Sequence, residues 1–238
     1  MNETVIILGT APTLAATPWD NPDVDYWACA PVITHPPAKG RRIDVLFEMH
    51  NTDYWLRPEI TKRLNDFASQ YPDTKIYMQS QNLQIKNSVK YPIEEVQSFV
   101  NHPMIREYLT STIAYMVALA VMSGYKRIEL FGVHMASNEE EYSMQRSCVE
   151  TWLAFGWGRG VDFWLPEESD IMKSTYLYGY QQEQGLLLRA IKEKQGLEHA
   201  ERDLFNKLEK MKQDYYMQKG AALGMEKFVN DLKKAGMQ

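Results

Sequence analysis

Short apolar runs that stop at a glycine constrain this chain most. Thr4–Leu8 (Thr-Val-Ile-Ile-Leu) ends at Gly9, and Arg127–Phe131 (Arg-Ile-Glu-Leu-Phe) ends at Gly132. A run this short and this apolar fits a strand buried on both faces, as in a parallel sheet. Residues 25–30, 43–47, 75–78 and 161–165 have the same character, the last stopped by Pro166. Helical patterns alternate with them. Over 58–69, Ile60, Leu64 and Phe67 share a face, and Pro58 sits in the first turn. Thr110, Ser111 and Thr112 offer N-caps to a helix whose face carries Ile113, Met116, Val117, Ala120 and Val121. Gly124 suits the position just past its end. A further helix is expected from about residue 139 to 157, closed by Gly158 and Gly160.

Strands alternating with helices predict an α/β fold, a doubly wound, mostly parallel Rossmann-like sheet with right-handed crossovers. The composition changes near residue 182. Beyond it there is no Pro and no Trp, and 11 basic residues stand against 9 acidic ones, whereas residues 1–182 hold 15 basic and 22 acidic. The expected organisation is a Rossmann-like domain over 1–182 and a helical tail over 183–238. In the tail Leu187, Ala190, Lys194, Leu197, Ala200, Leu204, Leu208, Met211 and Tyr215 step by threes and fours, with an extra step of four at Leu204–Leu208. That is a coiled-coil-like seam with a stutter. Gly220 and Gly224 are expected to interrupt it, giving a long helix or a helical hairpin that makes a homo-oligomer through 185–238.

The overall charge of −5 argues against nucleic acid as the main partner. Two cysteines, Cys29 and Cys148, are too few for a disulfide scaffold and suit a reducing compartment. The longest apolar stretch, residues 113–122, is far short of the ~20 residues a membrane span needs. A cytoplasmic protein without membrane association is expected.

In an open α/β sheet, ligands bind where strands end. Gly9, Thr10, Ala11, Pro12 and Thr13 follow the first strand, where a glycine lets backbone approach a phosphate. This is neither a dinucleotide fingerprint nor a Walker A loop. Ser111, Thr112 and Gly132 join that candidate nucleotide site. Glu48 and His50 follow the third strand with a spacing that sets both on one side of extended chain, which suits acid–base chemistry. His134 ends a later strand. Gln145, Arg146 and Arg159 are candidate phosphate or substrate contacts, with an Arg146–Glu150 pair as the structural alternative for Arg146. No cluster has metal-ligand spacing, so no metal is expected.

Two segments carry a resemblance. Val-Ile-Ile-Leu-Gly-Thr-Ala-Pro-Thr-Leu (5–14) resembles the strand–Gly–x–x–Pro–Ser–Leu opening of the bacterial sialyltransferases that use CMP-sialic acid. It is equally similar to that of the MptE-like pterin pyrophosphokinase and motility-accessory group. Residues 109–134, running through Gly-Tyr-Lys-Arg-Ile-Glu-Leu-Phe-Gly-Val-His, resemble the second segment of both groups. The chain also resembles proteins of tailed-phage genomes in Glu141, Tyr142, Gln145, Arg146 and Gly158–Arg159–Gly160. The resemblance spans about 4–180. It implies a Rossmann-like domain taking a nucleotide or nucleotide-sugar and transferring a glycosyl or phosphoryl group, in host cytoplasm if phage-encoded. Thr112 stands where those groups carry Gly, and His134 where they carry Asp. No His lies between 135 and 198, where the sialyltransferases place a base. Two further readings therefore remain: a non-catalytic nucleotide- or metabolite-binding accessory or counter-defence protein, and an assembly or virion-associated protein working through its helical tail.

Overall fold

In the computed structural model, which describes residues 2–135, 140–174, 177, 179–180 and 182–234, the apolar runs pair into one seven-stranded sheet. The strands are β1 (Thr4–Leu8), β2 (Val24–Cys29), β3 (Val45–Glu48), β4 (Lys75–Met78), β5 (Ser88–Lys90), β6 (Arg127–Phe131) and β7 (Asp162–Trp164). Their order is β5-β4-β3-β2-β1-β6-β7, and every pairing is parallel. The sheet is thus wholly rather than mostly parallel. The chain steps outward from β1 to β5, then returns to lay β6 on the other side of β1. The winding reverses between β1 and β6.

Helices cover both faces: α1 (Thr52–Trp55), α2 (Pro58–Gln70), α3 (Ile93–Val100), α4 (Pro103–Arg106), α5 (Thr112–Met122) and α6 (Glu140–Trp157). The period-2 alternation of β1 divides the core. Val5 and Ile7 pack with Trp27 and Phe47 against α3, α5 and α6. Ile6 and Leu8 pack with Tyr26, Leu46 and Met78 against α2 and the short turn at Pro12–Ala16. Nearly all of α5 is buried, which explains its apolar residues all round, and Gly156 of α6 lies against Val121. Gly124 takes a positive φ of 85° after the end of α5, as its placement predicts.

Four elements escape the sequence reading: the single-turn helices α1 and α4, strand β5 and helix α3. Strand β5 has only three residues and pairs on one side alone, so no alternation marks it. Helix α3 is short, and Val96 and Val100 are its only fully buried residues. In the tail the expected long helix is borne out and the expected interruption at Gly220 and Gly224 is not. One continuous helix, α7 (Gln182–Lys234), runs through Gly220 and Gly224, so there is no hairpin. A helical Gly costs only about 1 kcal/mol, and no proline is present to break the backbone ladder. The chain divides into two compact units, Met1–Lys173 and Ser174–Gln238. No helix among the described residues is long and apolar enough to cross a membrane.

Ile7 is fully buried where β1 meets α5, so Ile7→Ala is expected to destabilise the sheet unit by about 2–5 kcal/mol. Urea unfolding followed by tryptophan fluorescence measures this. A loss under ~1 kcal/mol would contradict the packing described.

Candidate functional site

Because all seven strands run one way, the segments that follow them share one edge of the sheet. Gly9, Glu48 and Gly132 all stand there. In open α/β sheets the ligand crevice lies where the winding reverses, which here is between β1 and β6.

The floor of that crevice is backbone stitched to backbone. The Gly9 N–H donates to Phe131 O at 2.8 Å, and the Ala11 N–H donates to Gly132 O at 2.8 Å. A Cβ on Gly9 would lie 2.4 Å from Gly132 O, and one on Gly132 would lie 2.2 Å from Gly9 O. Gly132 also has φ +69°. The two glycines are therefore required by each other. Their openness is spent on joining β1 to β6, and the Gly9 and Ala11 amides are not spare donors for a phosphate. What this loop leaves accessible is side chain: Thr10 and Pro12 are exposed, and Thr13 half-buried.

Thr13 ties the two loops above this floor. Its hydroxyl accepts the Gly132 N–H at 3.0 Å and lies 2.8 Å from His134 Nε2. Burial holds the His134 pKa below the ordinary 6.5, partly countered by Glu168 and Asp170, while Lys173 lowers it further. The ring is then neutral at pH 7. The Thr13 hydroxyl and His134 Nε2 share one hydrogen bond whose donor is set by the ring tautomer, and with two acceptor sites the hydroxyl keeps the Gly132 N–H in either case. Residues beyond β7 brace the strand end: the Ser169 hydroxyl donates to Val133 O at 3.0 Å, and the Asp170 N–H to His134 O at 3.0 Å.

Two strands away, at the end of β3, Glu48 and His50 form a second arrangement. Neighbouring strands lie about 4.8 Å apart, so it stands roughly 10 Å from β1 along the edge. The Glu48 side chain is fully buried. Its Oε1 accepts the His50 Nδ1–H and the His50 backbone N–H, while Oε2 has no hydrogen-bond partner. The His50 side chain is 48 % exposed and stacks on Tyr54 with centroids 4.1 Å apart. Arg57 lies over that tyrosine ring at 5.1 Å. With Nδ1 committed to the carboxylate, Nε2 is the nitrogen left to take a proton. Cys29, at the end of β2, is pushed up to about 12, by burial first and then by the charge of Glu48, so it is a thiol and not a nucleophile.

The other sequence candidates fall around this edge or away from it. Ser111 caps α5, its hydroxyl accepting the Ala114 N–H at 3.2 Å, and Thr112 opens the helix. As α5 leads into β6, its positive end lies on the carboxyl edge. Arg146 makes an intrahelical pair with Glu150 at 4.0 Å, and Glu150 also accepts the Met172 N–H at 2.9 Å. Gln145 stands beside Arg146 on α6. Arg159 precedes β7, at the opposite edge, with its guanidinium 4.5 Å from the Phe99 ring and 4.7 Å from the Phe155 ring. Residues 136–139, which follow His134, lie outside the described residues, as do the side chains of Glu141 and Tyr142. Sequence reasoning missed Tyr54, Arg57, Glu168 and Ser169. None belongs to a motif, and only the folded loops bring them to His50 or His134. A cavity of about 330 Å³ lies apart from all these candidates, lined by Ile33, Thr34, Lys62, Phe67 and Arg63, whose Nε and Nη2 are buried without a hydrogen-bond partner. Among the described residues no group of three His, Cys, Asp or Glu is placed to hold a metal ion.

No family model matches the chain, nor does any curated protein sequence. Among solved structures it is similar to an α-2,3-sialyltransferase from Campylobacter jejuni in apo form, at 17 % identity and TM-score 0.48, over 71 % of this chain and 77 % of that one. It is similar to the sialyltransferase CstII from the same organism, in complex with CMP-3FNeuAc, at 14 % identity and TM-score 0.47, over 73 % and 92 % of the chains. A third is the monofunctional α-2,3-sialyltransferase Cst-I, at 15 % identity and TM-score 0.47, over 81 % and 95 %. The chemistry is read from the site itself.

Two outcomes follow. Gly9→Ala forces a methyl group against the Gly132 carbonyl, and a loss of about 1–3 kcal/mol of stability is expected in urea unfolding; an unchanged midpoint would contradict the close approach. His134 has a folded pKa below its unfolded value, so the unfolded chain binds the proton more readily. Its contribution is present above pH ~6.5 and lost as pH falls through the lower folded value. His134→Gln is expected to flatten the fall in thermal midpoint between pH 7 and 5, and an unchanged slope would contradict this.

Proposed function

We propose that this protein is a nucleotide-sugar-dependent glycosyltransferase whose donor lies in the crevice between β1 and β6 and whose acceptor meets His50. The observation that carries the reading is the Glu48–His50 pair: a fully buried carboxylate orienting a half-exposed imidazole at the ligand-binding edge of the sheet. A buried carboxylate oxygen with no partner is costly, and a ligand hydroxyl would satisfy Oε2. The resemblance of 5–14 and 109–134 to enzymes that use CMP-sialic acid points to the same class of donor.

In this reading His50 Nε2 takes the proton of an acceptor hydroxyl as its oxygen bonds to the anomeric carbon. The bond from that carbon to the nucleotide phosphate breaks, and the nucleotide leaves with its electron pair. Glu48 holds the ring in the tautomer that leaves Nε2 basic and stabilises the imidazolium that forms. The positive end of α5, capped by Ser111, faces the charge that develops on the leaving phosphate. Thr10, Thr13 and neutral His134 bind the nucleotide as hydrogen-bonding groups. Gln145 and Arg146 are candidate phosphate contacts from α6. Beyond the donor and the acceptor, the reading requires no further small molecule.

The test is nucleotide release from a panel of nucleotide-sugars, CMP-sialic acid included, with ligand binding followed separately by thermal shift. Removing a general base costs about 10²–10⁴-fold, so His50→Ala is expected to lower kcat by at least 100-fold while the nucleotide-induced shift persists. Glu48→Gln is expected to lower kcat by a smaller factor. Unchanged turnover in His50→Ala overturns the mechanism. A wild-type protein that binds nucleotide-sugars and returns them intact is instead the non-catalytic binder.

A further inference from the structure

Helix α7 is 53 residues long, about 80 Å, and almost every residue from 190 to 234 is exposed. Because it runs unbroken, its apolar seam extends beyond Tyr215 to Leu232. In that longer frame the register passes through Glu201 rather than Ala200, and the stutter disappears. One seam position holds Leu187, Lys194, Glu201, Leu208, Tyr215, Ala222 and Val229. The other holds Ala190, Leu197, Leu204, Met211, Gln218, Met225 and Leu232. These are the a and d positions of seven successive heptads. Leu197, Leu204, Met211 and Met225 are each more than 60 % exposed. Gly196, Gly220 and Gly224 all fall on the outer face, away from the seam.

We propose that α7 pairs with α7 of a second copy of this chain as an antiparallel two-stranded coiled coil, with Leu208 facing Met211 of the other copy at its centre. The charges select this arrangement. In a parallel, in-register pair Lys194 would meet Lys194 and Glu201 would meet Glu201 in the seam, and Glu193–Glu198 and Lys207–Lys212 would repel at its flanks. In the antiparallel pair Glu201 faces Gln218, Lys194 faces Met225, Leu204 faces Tyr215, Leu197 faces Ala222 and Leu187 faces Leu232. The flanking contacts become Glu198–Lys219 and Lys207–Asp214, each made twice by symmetry. Sliding by one heptad in one direction sets Glu198 against Glu226 and Asp214 against Asp214. Sliding in the other sets Lys207 against Lys207. Only the stated register joins opposite charges on both flanks and sets Glu201 against Gln218, leaving Lys194 as the one polar seam residue that faces an apolar partner.

This inference rests on α7 alone and does not depend on the chemistry proposed above. Light scattering on the full chain is expected to give twice the 27.7 kDa of one copy at tens of micromolar. Glu198→Lys is expected to weaken association roughly tenfold, with Lys219→Glu in the same chain restoring it. In a parallel pair the first change would tighten association, because it faces Glu193. Lys207→Glu, restored by Asp214→Lys, reads the second flank in the same way. Leu204→Cys and Tyr215→Cys proteins, mixed and oxidised, are expected to cross-link to each other and neither to itself. A monomer at these concentrations, a Glu198→Lys variant that associates as well or better, or self-cross-linking of Leu204→Cys overturns the proposal.

Discussion

The close approach of Gly9 and Gly132 is the contact on which the rest of the sheet unit depends. Two backbones meet where two side chains would collide, so β1 and β6 can end side by side and be joined by hydrogen bonds past their last paired residues. This happens where the winding of the sheet reverses, the one place along the edge where neighbouring connections diverge. The glycines make the crevice by closing its floor, and the loops above it then carry Thr13 and His134 into contact.

Such a floor changes what the Gly9–Thr13 loop can do. Phosphate-cradling loops work through free amides, yet Gly9 and Ala11 donate theirs to β6. The groups this edge still offers are hydroxyls, imidazoles and the positive end of α5. In the proposed reading, binding and proton transfer are also separated in space. The crevice lies at β1 and β6, and the Glu48–His50 pair stands two strands away, a division that suits a reaction in which one substrate carries the leaving group and the other supplies the attacking oxygen.

The strands flanking the site were legible because each is short, apolar and closed by a residue that stops it. β1, β4 and β6 coincide with their sequence runs. The pairing of Glu48 with His50 was suggested by their spacing. The link between Thr13 and His134 was not, since 121 positions separate them and only the β1–β6 neighbourhood unites them. The edge strand β5 left no pattern to read because it is so short. In the tail the stepped apolar pattern is legible but its extent is not: Gly220 and Gly224 read as breaks in the sequence, yet on the outer face of a helix they leave the apolar positions intact.

The central claim is that a nucleotide lies over the Gly9–Gly132 floor. Amide chemical-shift mapping of the protein titrated with cytidine monophosphate tests it most directly. The account expects saturable shifts at Thr10, Thr13, Ser111, Gly132 and His134. Shifts gathered instead on α2 around Arg63, or none at millimolar nucleotide, would contradict it.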